Sequence, residues 1–229
     1  MAGASSLHLW WDVAGPVVSV AVTVEVLVPP AVPTLVFWAL QASFTDRGRR
    51  YGGGHVGLQA HPSHPGGTAV NWGGYGADGR ELSGSASALP SALGNANTRD
   101  WAWEVGRPYR LRIFRAGADD AGWAGSVDDV VVRTLFAGGT TLEAPVMWTE
   151  HFGACDDPSV VVRWSAATVE RPDGSESPVL AVRAGYQSSA AGGCPNTTAL
   201  ADGDGVLQVT SVPRTAPDGT VLRLSPGGS

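Results

Sequence analysis

The sequence predicts an all-β fold: two antiparallel sheets stacked as a β-sandwich or jelly roll. Three observations carry this. Segments rich in Val, Thr, Trp and Phe alternate with a period of two. Turn signals built on Gly, Pro, Asp and Asn recur about every ten residues, and no stretch longer than about eight residues shows helical spacing. With 229 residues, 43% apolar and 16% charged, the chain has material for a large core. Neither an internal repeat nor a linker divides it, so residues 1–229 read as a single domain.

In chain order, Ser6–Asp12 alternates weakly and reads as a strand. Val17–Val28 sets Val against Ser, Ala, Thr and Glu, the pattern of a half-buried strand in which β-branched side chains fit the pleat. Pro29, Pro30 and Pro33 end it, and Thr34–Phe44 is a third strand. A turn over Asp46–Gly54 leads into two short strands, His55–His61 and Thr68–Tyr75, joined by a Pro/Gly turn at Pro62–Gly67. Ala77–Arg99 is small, polar and irregular, a long loop across one end. Trp101–Arg115 reads as a hairpin turning at Val105–Pro108, and Gly122–Leu135 as a strand pair. Thr140–Phe152, Ser159–Val169, Val179–Gln187, Gly205–Val212 and Thr220–Leu224 complete the strand set.

Composition removes several functions. All 15 basic residues are Arg, so there is no P-loop lysine, no Schiff base and no lysine general base. A net charge of -6 with no Arg cluster argues against a nucleic-acid partner, which needs a basic face. No apolar run approaches the roughly 20 residues of a membrane helix, so membrane insertion is not expected. The segment MAGASSLHLWW has neither a basic start nor a long apolar run and does not read as a signal peptide. Oligomeric state is not legible.

Cys155 and Cys194 both sit in Gly/Asp/Pro-rich loop sequence rather than in apolar strands. A disulfide is the favoured reading, and with it an oxidising, extracellular or cell-envelope location. Two free thiols are the alternative, and zinc is disfavoured because neither Cys has a partner at CxxC spacing.

The runs Gly53-Gly54-His55-Val56-Gly57-Leu58-Gln59 and Trp103-Glu104-Val105-Gly106-Arg107-Pro108-Tyr109-Arg110-Leu111 give a resemblance spanning Thr34–Trp164. The chain resembles a bacterial secreted domain family of unknown function with a concanavalin-A-like lectin/glucanase sandwich. That resemblance implies the fold and transfers no catalytic residue.

Several constellations bear on chemistry. His55, His61 and His64 form H-x5-H-x2-H, yet His55 and His61 on one strand would stand about 20 Å apart, too far to share an ion. Gln59-Ala60-His61 matches the Gln-x-His strand of some jelly-roll polysaccharide lyases, with Tyr109–Arg112 and Gly185–Gln187 as loose partners, so a lyase on acidic polysaccharide is the enzyme alternative. No E-x-D-x-E triplet of a retaining glycosidase occurs. Asp156, Asp157, Asp202 and Asp204 are the candidate Ca²⁺ group, with ordinary Asp/Gly turns as the plainer reading; no other cofactor is expected. Nine Trp is a high count; most belong to the core and a few are candidates for a ligand face, with Trp72 and Trp148 as buried wedges between the sheets the equal alternative. Flat aromatic faces beside amides and carboxylates make a sugar platform, and Gln59, His61, Asn71, Trp72, Tyr75, Trp148 and Glu150 are the candidate ligand residues. The expected function is therefore an exported carbohydrate or glycan-surface binding module without a complete catalytic set. A structural or protein-binding domain is the third reading.

Overall fold

In the computed structural model, residues 4–117 and 122–224 are described. The strands are β1 (Ser5–Trp11), β2 (Ser19–Val28), β3 (Val36–Asp46), β4 (Arg49–Ala60), β5 (Thr68–Gly76), β6 (Thr98–Asp100), β7 (Pro108–Arg115) and β8 (Trp123–Val127). They continue as β9 (Val130–Leu135), β10 (Thr141–His151), β11 (Val161–Glu170), β12 (Glu176–Pro178), β13 (Ala181–Tyr186), β14 (Thr197–Asp202), β15 (Gly205–Thr210) and β16 (Val221–Arg223). Two antiparallel sheets stack as a sandwich. The first runs β16-β13-β1-β10-β3-β4-β5-β6; the second runs β14-β15-β11-β2-β7-β8-β9, with β12 added beside β11.

Period-two alternation builds the core. Val20, Val22, Val24 and Val26 of β2 face Trp38, Leu40 and Phe44 of β3 and Val56 and Leu58 of β4 in one buried cluster, while Ser19, Thr23 and Glu25 turn outward. Trp72 is wholly buried at its centre. Its ring fits because two glycines approach it, one from each sheet. A Cβ at Gly54 would lie 2.7 Å from the ring and a Cβ at Gly125 only 2.4 Å.

Three expectations need correction. The turn expected over Asp46–Gly54 is just Arg47-Gly48. Both residues are left-handed (φ 48° and 78°), the geometry of a tight hairpin that matches strand twist, so β4 begins at Arg49. The hairpin expected over Trp101–Arg115 is a single strand, β7. Its first arm stays irregular: Trp103 Nε1 donates to the Gln59 carbonyl (2.9 Å) and the Glu104 amide donates to the Tyr109 hydroxyl (2.8 Å). The strands β6, β12 and β14 were not foreseen; each lies at a sheet edge or beside it, where short polar sequence gains pairing only from a neighbour.

Cys155 and Cys194 form a disulfide, with Cα atoms 5.4 Å apart. Among the described residues, no helix is long and apolar enough to cross a membrane.

Candidate functional site

The outer face of the first sheet brings together most of the polar and aromatic groups singled out above. Its register is continuous across six strands. One row reads Gly185, His8, Trp148, Ala39, Gly57, Asn71. A second reads Ser6, Glu150, Phe37, Gln59, Ala69, Asp100, and a third reads Arg183, Trp10, Val146, Gln41, His55, Gly73. A bulge between Glu143 and Val146 brings Glu143 onto the same face, in register with Ser43, Gly53 and Tyr75.

Trp148 forms the middle of this face. It is 4% exposed and packs edge-on against Phe37 (4.8 Å between centroids) and His55 (5.7 Å), with His8 at 6.4 Å. Its indole N–H donates to Gln41 Oε1 (3.2 Å). With Phe37, Ala39 and Val146 it makes a small apolar cluster on the outside of the sheet. Burial in this cluster pulls the His55 pKa down to about 4, so its imidazole is neutral at pH 7.

A cleft opens on each side of the ridge. The first, of about 510 Å³, is lined by Ser6, His8, Trp10, Glu150, Tyr186, Gln187 and Asp218, among others. Trp10 is 40% exposed and stacks on His8 at 5.8 Å with a 15° interplanar angle. Glu150 has one weak partner, the Ser6 hydroxyl, which donates to it across 3.4 Å. Burial raises the Glu150 pKa above the usual carboxylate value, and that hydroxyl offsets the rise in part.

The second cleft, of about 270 Å³, is lined by His55, Asn71, Gly73, Gly74, Tyr75, Glu81, Asn95 and Asn97. Tyr75 is 58% exposed. Asn71 Nδ2 donates to Thr98 Oγ1 (2.9 Å), which leaves Asn71 Oδ1 buried without a partner. Asn97 donates to Glu81 and accepts from Arg133 Nη1 (2.8 Å), so the amide layer is held from behind.

The expected residues are thus divided. Asn71, Tyr75 and Glu150 line the clefts. Trp148 is on the face but is its buried ridge, not a stacking surface. Trp72 is a correction: its side chain lies in the inter-sheet core, because adjacent residues of a strand point to opposite faces and Asn71 takes the outer one. Gln59 shares the outer face but is 6% exposed, with Oε1 buried and unpartnered. His61 lies beyond the end of β4, in a separate cleft with Pro29–Pro33, Trp103 and Val105.

Gln59 and His61 therefore do not share a groove, and Tyr109 is buried in the core. Arg110 and Arg112 stand on the outside of the other sheet. There Arg110 donates to Thr168 (2.7 Å), and Arg112 donates to Ser19 (2.8 Å) and Glu170 (2.9 Å). The lyase constellation is not assembled. The three histidines do not converge either: His64 is buried and donates from Nδ1 to Asp100 Oδ1 (2.6 Å), with the His61 ring 4.6 Å away. Asp202 and Asp204 both accept from Arg163, at 2.7 and 2.6 Å. Among the described residues no group of three or more His, Cys, Asp or Glu is placed to hold a metal.

Sequence reasoning missed His8, Trp10, Glu81, Asn97 and Asp218. The alternation of Ser6, His8 and Trp10 was a usable signal for one outward face, but its position beside Trp148 depends on β1 pairing with a strand some 140 residues later.

No family model matches the chain, and no curated protein does. Among solved structures, the chain is similar to a Scytalido-glutamic peptidase with a peptide-based transition-state analogue (TM-score 0.49, 7% identity, covering 89% of this chain and 97% of that one). It is also similar to SCP-B, a member of the eqolisin family of peptidases in complex with the tripeptide Ala-Ile-His (TM-score 0.44, 9% identity, 90% and 96% coverage). A native glycosidic hydrolase is a third (TM-score 0.36, 11% identity, 65% and 66% coverage). None of them assigns a role to a residue of this chain.

Proposed function

We propose that the chain is an exported, single-domain carbohydrate-binding sandwich of concanavalin-A-like type, which holds a glycan across the outer face of its first sheet. The observation that carries this is the pair of exposed aromatic rings, Trp10 and Tyr75, flanking a buried Trp148 ridge, each in a cleft walled by amides, hydroxyls and carboxylates. Flat apolar rings beside hydrogen-bonding groups match the two-faced character of a sugar ring. The strands β1 and β5 are four positions apart in the sheet, about 19 Å at the usual strand spacing, so the two clefts suit an oligomer rather than a single sugar. The disulfide supports an oxidising location.

Calorimetric titration with long and short oligosaccharides tests this reading. Trp10→Ala and Tyr75→Ala should each weaken binding of a long oligomer about tenfold, or 1.4 kcal/mol. Each should leave binding of a short one at the opposite cleft unchanged. A folded protein that is silent toward neutral and charged polysaccharides alike would instead favour a structural or protein-binding role.

A further inference from the structure

The two clefts share a charge character that sorts glycans. Glu150 and Asp218 line the first and Glu81 the second, and Glu143 shares the row of Tyr75. No arginine lines either cleft among the described residues. Arg183, beside Trp10, donates to the Gly219 carbonyl (3.2 Å), and Arg133 donates to Asn97 behind the second cleft, where its charge also interacts with Glu81. Burial lowers the pKa of both His8 and His55. Among the donors that line the clefts, the Trp10 indole, the Tyr75 hydroxyl and the imidazole N–H groups carry no full charge. Among the described residues, Asn71 Oδ1 is buried behind the second cleft with no donor, and in the first Glu150 has only the long Ser6 contact. A half-buried carboxylate without a cation is costly, and a bound ammonium would relieve it. The same ammonium would meet the Trp10 ring face.

We propose that this face selects glycans bearing free amino sugars over those bearing uronates, the sugar ammonium lying between Trp10 and Glu150 and a donor of a second unit meeting Glu81. The proposal rests on the glycan-binding reading above.

Three oligosaccharides of equal length separate the two ideas: a glucosamine oligomer, its fully N-acetylated form and an oligogalacturonate. They are titrated at about pH 5.5, more than two units below an ordinary α-amino group, so that the sugar amines are largely protonated despite the hydroxyls beside them. The amine form should bind about tenfold tighter than the acetylated one, with the preference shrinking as salt screens it. Glu150→Gln and Glu81→Gln should each reduce the preference and the pair should abolish it; Glu81 is exposed, so its replacement leaves the fold intact even if Glu150→Gln does not. Equal or tighter binding of the acetylated or uronate oligomer overturns the selection and leaves glycan binding standing, as does a preference that survives both substitutions. Silence toward all three removes both.

Discussion

Glu150 illustrates how one side chain carries opposing demands. Its folded pKa is raised, so the folded state holds the charged form poorly, and the stability this costs is absent in acid and appears as pH rises through the folded value. Glu150→Gln should therefore raise the urea midpoint at pH 7 and leave it unchanged near pH 3. His55 acts the other way. Its pKa falls from 6.5 to about 4 on folding, so the unfolded chain binds the proton more readily. Stability is complete above pH 6.5 and is lost as pH falls toward about 4. His8, His61 and His151 are shifted in the same direction by burial and add to the slope. Urea midpoints measured at pH 7, 5.5 and 4 should fall steadily, and His55→Phe, which keeps an aromatic ring against Phe37 and Trp148, should flatten that fall. An unchanged slope would show that His55 does not govern it.

At the level of strands, the sequence carried more about faces than about neighbours. Alternation identified β1 and β2, because each residue's side is decided by its own strand. It also held the information that Asn71 and Trp72 cannot share a face; reading both as ligand residues ignored the pleat. What alternation does not contain is which strands lie together. The ridge and its two clefts exist because β1 pairs β10 and β10 pairs β3, contacts between segments roughly a hundred or more residues apart. The length of β4 was missed for a different reason. Gly52–Gly54 look like turn residues, yet they are strand positions where a neighbouring backbone or ring approaches too closely for a side chain. Gly125→Ala tests this in β8. Its new methyl would collide with Trp72, and overpacking of this kind should cost about 1–3 kcal/mol in chemical denaturation. A neutral result would mean that Trp72 has room to move.

Across the whole molecule, the disulfide ties the loop after β10 to the loop before β14, closing a separation of 39 residues. In the chain-entropy treatment, a loop of that size is worth about 4 kcal/mol. Cys155→Ala with Cys194→Ala should lower the unfolding free energy by about that amount while leaving both clefts formed, since neither Cys lines them. The first strand has a further consequence. β1 lies inside its sheet, between β10 and β13, and β2 lies inside the other, between β7 and β11. In chain order β1 comes early, but its partners β10 and β13 end only at His151 and Tyr186. Until residue 186 or so has been synthesised, β1 lacks its neighbour on one side, so the first sheet closes late and through long-range contacts. Closure of that sheet then runs on the slow timescale of topologies whose beginning must wait for their end.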